Sequence, residues 1–260
     1  MMDQKAIYHA LKEDFEATFT KELIPGILHN FANPLNGIMG RSKLLQRRIE
    51  DTIKKIENLY PDAAEGMAAD FQKISSDIRA VNQESDFFFK MFRDVSGKFY
   101  SLASREKDSV NLSKLLDAEM RFANFYLDFK HEIKKDSQFR DELPELSVNL
   151  ADFSMAFWRL IRFAMSRALA SQEKELYIST NNDEKNVNVL IKYSGDKISK
   201  EKVKQIIDKI QSCSCDKSAD EVDSGAYIPL LLFSKYQAKI EINHDNDLNA
   251  ISVSFPYRSH

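Results

Sequence analysis

Through the N-terminal part of the chain, apolar side chains recur at alternating steps of four and three: Ile24, Leu28, Phe31, Leu35, Ile38, Leu45, Ile49, Ile56 and Leu59. Only Ser42 and Thr52 interrupt this seam, and a seam of that period predicts a long bundle helix. A second seam runs through Phe71, Ile74, Ile78, Val81, Phe88, Phe92, Val95, Phe99 and Leu102, with Ser85 as its polar member. The two helices are expected to form an antiparallel hairpin, joined between Tyr60-Pro61-Asp62 and Gly66. A lone hairpin covers one stripe per helix, so a second copy of the chain is expected to close a dimeric four-helix bundle.

The pattern changes at the polar stretch Ser104-Arg105-Glu106-Lys107-Asp108-Ser109-Val110-Asn111, which predicts a boundary between domains at 1–104 and 105–260. Beyond it the periodicity reads as a helix over 112–130, a short segment around 143–148 and a helix over 153–170. Strands are expected at 176–180 and 186–193, helices at 200–211 and 228–236, and strands at 239–243 and 250–255. Helices on one side of an antiparallel-rich sheet make an α+β layer fold. Phe153, Phe157, Ile161 and Met165, at helical spacing, read as core, as do Leu230, Leu231 and Leu232; Trp158 reads as a core or interdomain residue.

Composition adds bounds. A chain of 260 residues, 43% hydrophobic and 30% charged, has room for one large or two small globular domains. Its net charge of −3 gives no reason to expect nucleic acid or an anionic membrane as partner. Cys213 and Cys215 are too few for a disulfide framework and lack the second pair of a zinc site. They read as free thiols in a reducing compartment. Met1-Met2-Asp3-Gln4-Lys5 has no apolar leader core, and nowhere do 18 apolar residues run together, so a cytoplasmic protein with no membrane partner is expected. His131, His244 and His260 have no ligand-like companions, and 130–135 reads as a solvated charged face.

The candidate chemistry sits in Leu28-His29-Asn30-Phe31-Ala32-Asn33-Pro34-Leu35. This segment resembles the H-box of two-component histidine kinases. There a histidine is followed by an acidic residue, then by Thr or Asn at plus four, Pro at plus five and an apolar residue at plus six. Asn33, Pro34 and Leu35 match, whereas Asn30 replaces the acidic residue, the family's general base, and an amide cannot accept that proton. His29 follows the seam residue Leu28 by one position, which places it and Asn33 toward the bundle's edge. A solvated imidazole is neutral near pH 7 and has one ring nitrogen able to attack phosphorus. Pro34 inside a helix costs about 3 kcal/mol, a cost without return in a purely structural helix. The resemblance thus implies His29 as phosphoryl acceptor and Asn33 as the residue that orients water or the phosphoryl group.

The order of elements after residue 104 is similar to the ATP-binding domain of the same kinases and of gyrase-type ATPases, but its boxes are altered. Where the family has two asparagines four apart, one holding Mg²⁺, this chain is expected to place Arg162 and Ser166, and a guanidinium offers no ligand oxygen. The Asp-x-Gly-x-Gly box becomes Tyr193-Ser194-Gly195-Asp196-Lys197, with one glycine kept, and the glycine-rich box becomes Asp223-Ser224-Gly225-Ala226-Tyr227. Metal ligand, adenine carboxylate and glycine loop are lost together. The chain is therefore expected to hold no cofactor and no metal of its own.

Two functional classes follow. One is a histidine phosphotransferase exchanging a phosphoryl group between His29 and the aspartate of a response-regulator receiver domain, which brings its own Mg²⁺; the same surface could serve as a regulator phosphatase. The other is a non-catalytic interaction module that binds a kinase or regulator. An ATP-dependent histidine kinase ranks behind both.

Overall fold

In the computed structural model of the chain, described over residues 24–104, 106–212, 221–245 and 247–257, the first seam becomes helix α1, Ile24–Leu59. The second becomes α2, Pro61–Ala103. The joint is shorter than the sequence pattern implies. Only Tyr60 lies outside the helices, its N–H still bonded to Ile56 O at 2.8 Å, and Gly66 is helical. Pro61 opens α2 at the position where a missing N–H costs least, because the first turn has no partner for it.

The chain divides into two compact units between Phe99 and Tyr100. In the first, Lys43 Nζ meets Asp86 Oδ1 at 3.1 Å and Asn82 Nδ2 donates to Gln46 Oε1 at 2.5 Å, a pairing that runs the helices antiparallel. The seam splits in two. Leu35, Ser42, Ile78 and Asn82 are buried between the helices. The alternate seam positions stay open on one chain: Ile38 is 54% exposed, Val81 51% and Phe88 49%, with Phe31, Leu45 and Ile74 in the same state. Each helix therefore carries a second apolar stripe that its hairpin partner does not cover.

The second unit opens with β1, Lys107–Val110, paired antiparallel with β3, Leu146–Asn149. Between them lie α3, Leu112–Ala123, α4, Leu127–Glu132, and β2, Lys134–Gln138. Then come α5, Leu150–Leu169, β4, Glu175–Asn182, and β5, Asn186–Tyr193. The chain continues through α6, Lys200–Ser212, α7, Glu221–Lys235, β6, Lys239–Asp245, and β7, Leu248–Pro256. The main sheet has the order β2-β4-β5-β7-β6, with β2 parallel to β4 and every other pair antiparallel. The architecture is α+β: a long helical hairpin followed by a layered helix and sheet domain.

Local chemistry explains the elements. Asn111 and Asn149 cap α3 and α5, each accepting at 3.0 Å from a backbone N–H three residues on, a cap worth about 1 kcal/mol. In β5, Val187, Val189, Ile191 and Tyr193 turn inward and the residues between them turn out. Phe153 and Phe157 of α5 meet Phe233 of α7 and Phe255 of β7, with 4.6 Å between the Phe157 and Phe233 ring centroids, and all four are buried. Trp158 is half-buried, its ring edge-on to Phe122 at 5.1 Å.

The single helix expected over 112–130 is instead two. Asn124 ends α3 and Tyr126 turns extended before α4. Lys135 Nζ then donates to the carbonyls of Phe129 and Lys130, at 2.7 and 3.0 Å, at the end of α4. Apolar residues continue through this corner, so periodicity alone hides it. Among the described residues no helix is long and apolar enough to cross a membrane.

Candidate functional site

Helix α1 runs without a break through Pro34, although proline donates no N–H and leaves the carbonyl of residue 30 without its helical partner. Residues 29 and 33 therefore stand one turn apart on one helix. The side chains of His29 and Asn30 lie outside the described residues. Asn33, Pro34, Asn36 and Gly37 are exposed, whereas Leu35 is buried in the hairpin seam. A Cβ placed at Gly37 or Gly40 would meet nothing within 4 Å, so this face of α1 is unobstructed within the first unit.

The second unit holds a cavity of about 250 Å³ between α5, the loop after β5, α6, α7 and the strands β6 and β7. Helix α5 contributes Phe163 and Arg167 to its lining. Arg162 and Ser166 do not line it. They sit on the exposed face of α5, because Leu160, Ile161, Ala164, Met165 and Ala168 occupy the buried face, and Arg162 lies over the Tyr126 ring at 5.6 Å. The two residues that the resemblance sets against the metal-holding asparagines therefore face away from this cavity. Phe163 and Arg167, four apart and with Ala168 after the second, occupy the cavity wall.

The loop 195–198 is held by a residue that the sequence pattern did not single out. Asn249 of β7 is fully buried; its Nδ2 donates to the carbonyls of Gly195 and Asp196 at 3.2 and 3.3 Å, and its Oδ1 accepts from Ile198 N at 3.2 Å. The available signal was a lone amide ahead of the apolar Ala250-Ile251. Arg167 Nη2 adds a bond to the Asp196 carbonyl at 2.9 Å, and Lys197 pairs with Asp247 at 2.9 Å. Gly195 has φ +124°, a conformation open to glycine.

Tyr193, which the sequence resemblance sets against the family's adenine-binding carboxylate, is buried edge-on to Phe163 at 5.7 Å. Its hydroxyl has no hydrogen-bond partner among the described residues, and burial pushes its pKa well above the usual phenol value. It therefore stays neutral. Asp196 is the one carboxylate among the cavity-lining residues, and it is exposed. Gly225 lies on α7 against Phe163. Among the described residues no three His, Cys, Asp or Glu side chains cluster to hold a metal ion.

No protein-family profile matches the chain, and neither does any curated protein. Solved structures similar to it are histidine kinase catalytic domains and full-length histidine kinases. The catalytic domain of histidine kinase ThkA shares 16% identity at a TM-score of 0.49, over 58% of this chain and 97% of that one. Full-length ShkA in complex with AMPPNP shares 14% identity at 0.48, over 92% of this chain and 46% of that one. The Acinetobacter baumannii histidine kinase AdeS shares 10% identity at 0.44, over 70% and 82%. Likeness at this level transfers no residue role, ligand or activity.

Proposed function

We propose that the protein is a histidine phosphotransferase of two-component signalling, in which His29 takes a phosphoryl group from the aspartyl phosphate of a receiver domain and passes it on. One observation carries the reading: Asn33 is exposed on an unbroken helix that keeps Pro34 in its interior, one turn from residue 29. A proline that costs helix stability at that offset fits a recognition segment better than a plain bundle helix.

The chemistry needs little from this chain. A lone pair of neutral His29 attacks phosphorus, the bond from phosphorus to the aspartyl oxygen breaks, and the carboxylate leaves with the electron pair. The proton left on the imidazolium passes to solvent. The receiver supplies the Mg²⁺ and acidic residues that steady the transferring group, so Asn30 in place of the family's acidic base is no obstacle. Asn33 orients the phosphoryl oxygens. The open face around Asn36, Gly37 and Gly40 leaves room for a receiver to approach.

The cavity of the second unit does not fit a magnesium nucleotide. Its wall carries Arg167, whose guanidinium offers no oxygen to a metal; Tyr193, which the resemblance sets against the adenine carboxylate, stays neutral; and Phe163 fills space beside Gly225. ATP is therefore not the phosphoryl source in this reading. The uncovered stripes of Ile38, Leu45, Val81 and Phe88 are closed by a second copy of the hairpin, making the protein a homodimer.

Incubation with a panel of phosphorylated receiver domains tests the proposal through the label lost from the receiver. Transfer to the wild type that disappears in His29→Ala supports it. Loss of receiver label as free phosphate, slowed by Asn33→Ala, makes the protein a regulator phosphatase instead. Unchanged label across the whole panel leaves a non-catalytic interaction module.

A further inference from the structure

The cavity of the second unit has apolar walls and a cationic mouth. Phe163, Ile206, Ala226, Ile242 and Ile251 form the walls, and all but the half-buried Phe163 are buried. Arg167, Lys197 and Lys202 stand at its polar side, against the single carboxylate of Asp196. We propose that this cavity binds a small amphipathic anion, a carboxylate carried on a compact apolar body.

Three features select that class. The volume, about 250 Å³, falls below the roughly 300 to 1,000 Å³ of pockets that enclose drug-sized ligands, so the occupant is small. Apart from the exposed Ser199, whose hydroxyl accepts from Lys202 N at 3.3 Å, the lining offers no neutral hydrogen-bonding side chain to match a polar body, which leaves an alkyl or aryl group as the matching shape. The charge at the mouth is largely unspent. Arg167 uses Nη2 on the Asp196 carbonyl, and a guanidinium has five N–H donors, so its fork keeps donors for a carboxylate. Lys197 is paired with Asp247, whereas the Lys202 ammonium has no ion-pair partner among the described residues. With Lys197 paired to Asp247, Arg167 and Lys202 face the one lining carboxylate of Asp196, a balance that favours an anion over a neutral or cationic ligand of the same shape.

The loop that carries the mouth is built before any ligand arrives. Asn249 fixes the carbonyls of 195 and 196 and the amide of 198 from below, so the cationic rim is not left to loop motion.

The test is methyl NMR of the full chain, labelled at isoleucine and titrated with octanoate, 1-octanol and octylammonium. Octanoate is expected to shift the Ile206, Ile242 and Ile251 methyls saturably, with a Kd on the order of 1 mM or tighter. Octanol should bind about tenfold more weakly, the discrimination of one charge-assisted hydrogen-bonded group, and octylammonium should leave the three methyls unmoved. Arg167→Gln should remove octanoate's advantage over octanol. Lys202→Gln, at an exposed position, should weaken octanoate by about threefold without touching the fold. Equal binding of octanoate and octanol, or shifts scattered away from these methyls, overturns the proposal. If Arg167→Gln fails to fold, unchanged octanoate affinity in Lys202→Gln overturns it as well. No readout here involves phosphoryl transfer, so failure of this site and failure of the phosphotransferase reading are told apart.

Discussion

A β-carbon added at Gly225 would lie 2.9 Å from Cδ2 of Phe163, so α7 approaches α5 this closely only because residue 225 has no side chain. The sequence resemblance reads Gly225 as the remnant of a phosphate-binding glycine run. The structure assigns it a packing role: the Phe163 ring uses the space that the glycine leaves.

Two glycine substitutions test separate close approaches, Gly225 to Phe163 and Gly195 to Arg167. Gly225→Ala gains about 1 kcal/mol of helix propensity but overpacks the Phe163 ring, which typically costs about 1–3 kcal/mol, so a net loss of about 1 kcal/mol is expected. Gly195→Ala should cost more, about 3 kcal/mol, because φ is +124° and the new carbon would lie 2.9 Å from the Arg167 carbonyl oxygen. Urea unfolding measures both. A more stable Gly225→Ala variant would show that Phe163 yields at no cost.

The split seam predicts two distinct outcomes from one kind of substitution. Ile38→Glu or Phe88→Glu places a charge on the stripe left open on one chain, and light scattering should report a folded monomer in place of the dimer proposed for the wild type. Leu35→Glu or Ile78→Glu puts the charge between the hairpin helices, where circular dichroism should show lost helix, since an unpaired buried charge costs several kcal/mol. A monomeric wild type removes the case for a four-helix bundle.

Asp183 sets a pH dependence in the β4–β5 hairpin. The backbone N–H groups of Lys185 and Asn186 donate to Oδ1 at 2.8 Å and the Asn188 amide donates to Oδ2 at 3.2 Å, which together pull the carboxyl down to about 2. Because the folded pKa lies below the ordinary carboxylate value of about 3.9, this stabilisation is complete above about pH 4 and is lost as pH falls toward 2. The amide resonances of Lys185 and Asn186 should titrate together in that window. Asp183→Ala should remove the step.

Calorimetry with Mg-ATP should show no saturable binding at millimolar ligand, an affinity weaker than about −4 kcal/mol. Micromolar binding would sink the account of Arg167, Tyr193 and Phe163 given above.

The long hairpin was legible because heptad spacing survives in the sequence whatever covers it, and the core strands were legible from the alternation of Val187, Val189 and Ile191. The edge strand β2 was not. Lys134-Lys135-Asp136-Ser137-Gln138 is polar throughout, as an edge open to water permits, and its parallel partner β4 lies about forty residues away. Which α5 residues line the cavity was not legible, since spacing finds the helix but only the buried face at Leu160, Ala164 and Ala168 fixes its rotation. Asn249 was missed because one buried amide in a strand has no period.

The most direct test of the account is the site of modification after incubation with a phosphorylated receiver domain. Electron-transfer fragmentation of the protein, kept at neutral to basic pH, is expected to place an acid-labile phosphoryl group on His29, with no modified residue in His29→Ala. Full transfer retained by His29→Ala, or label on another residue, would contradict it.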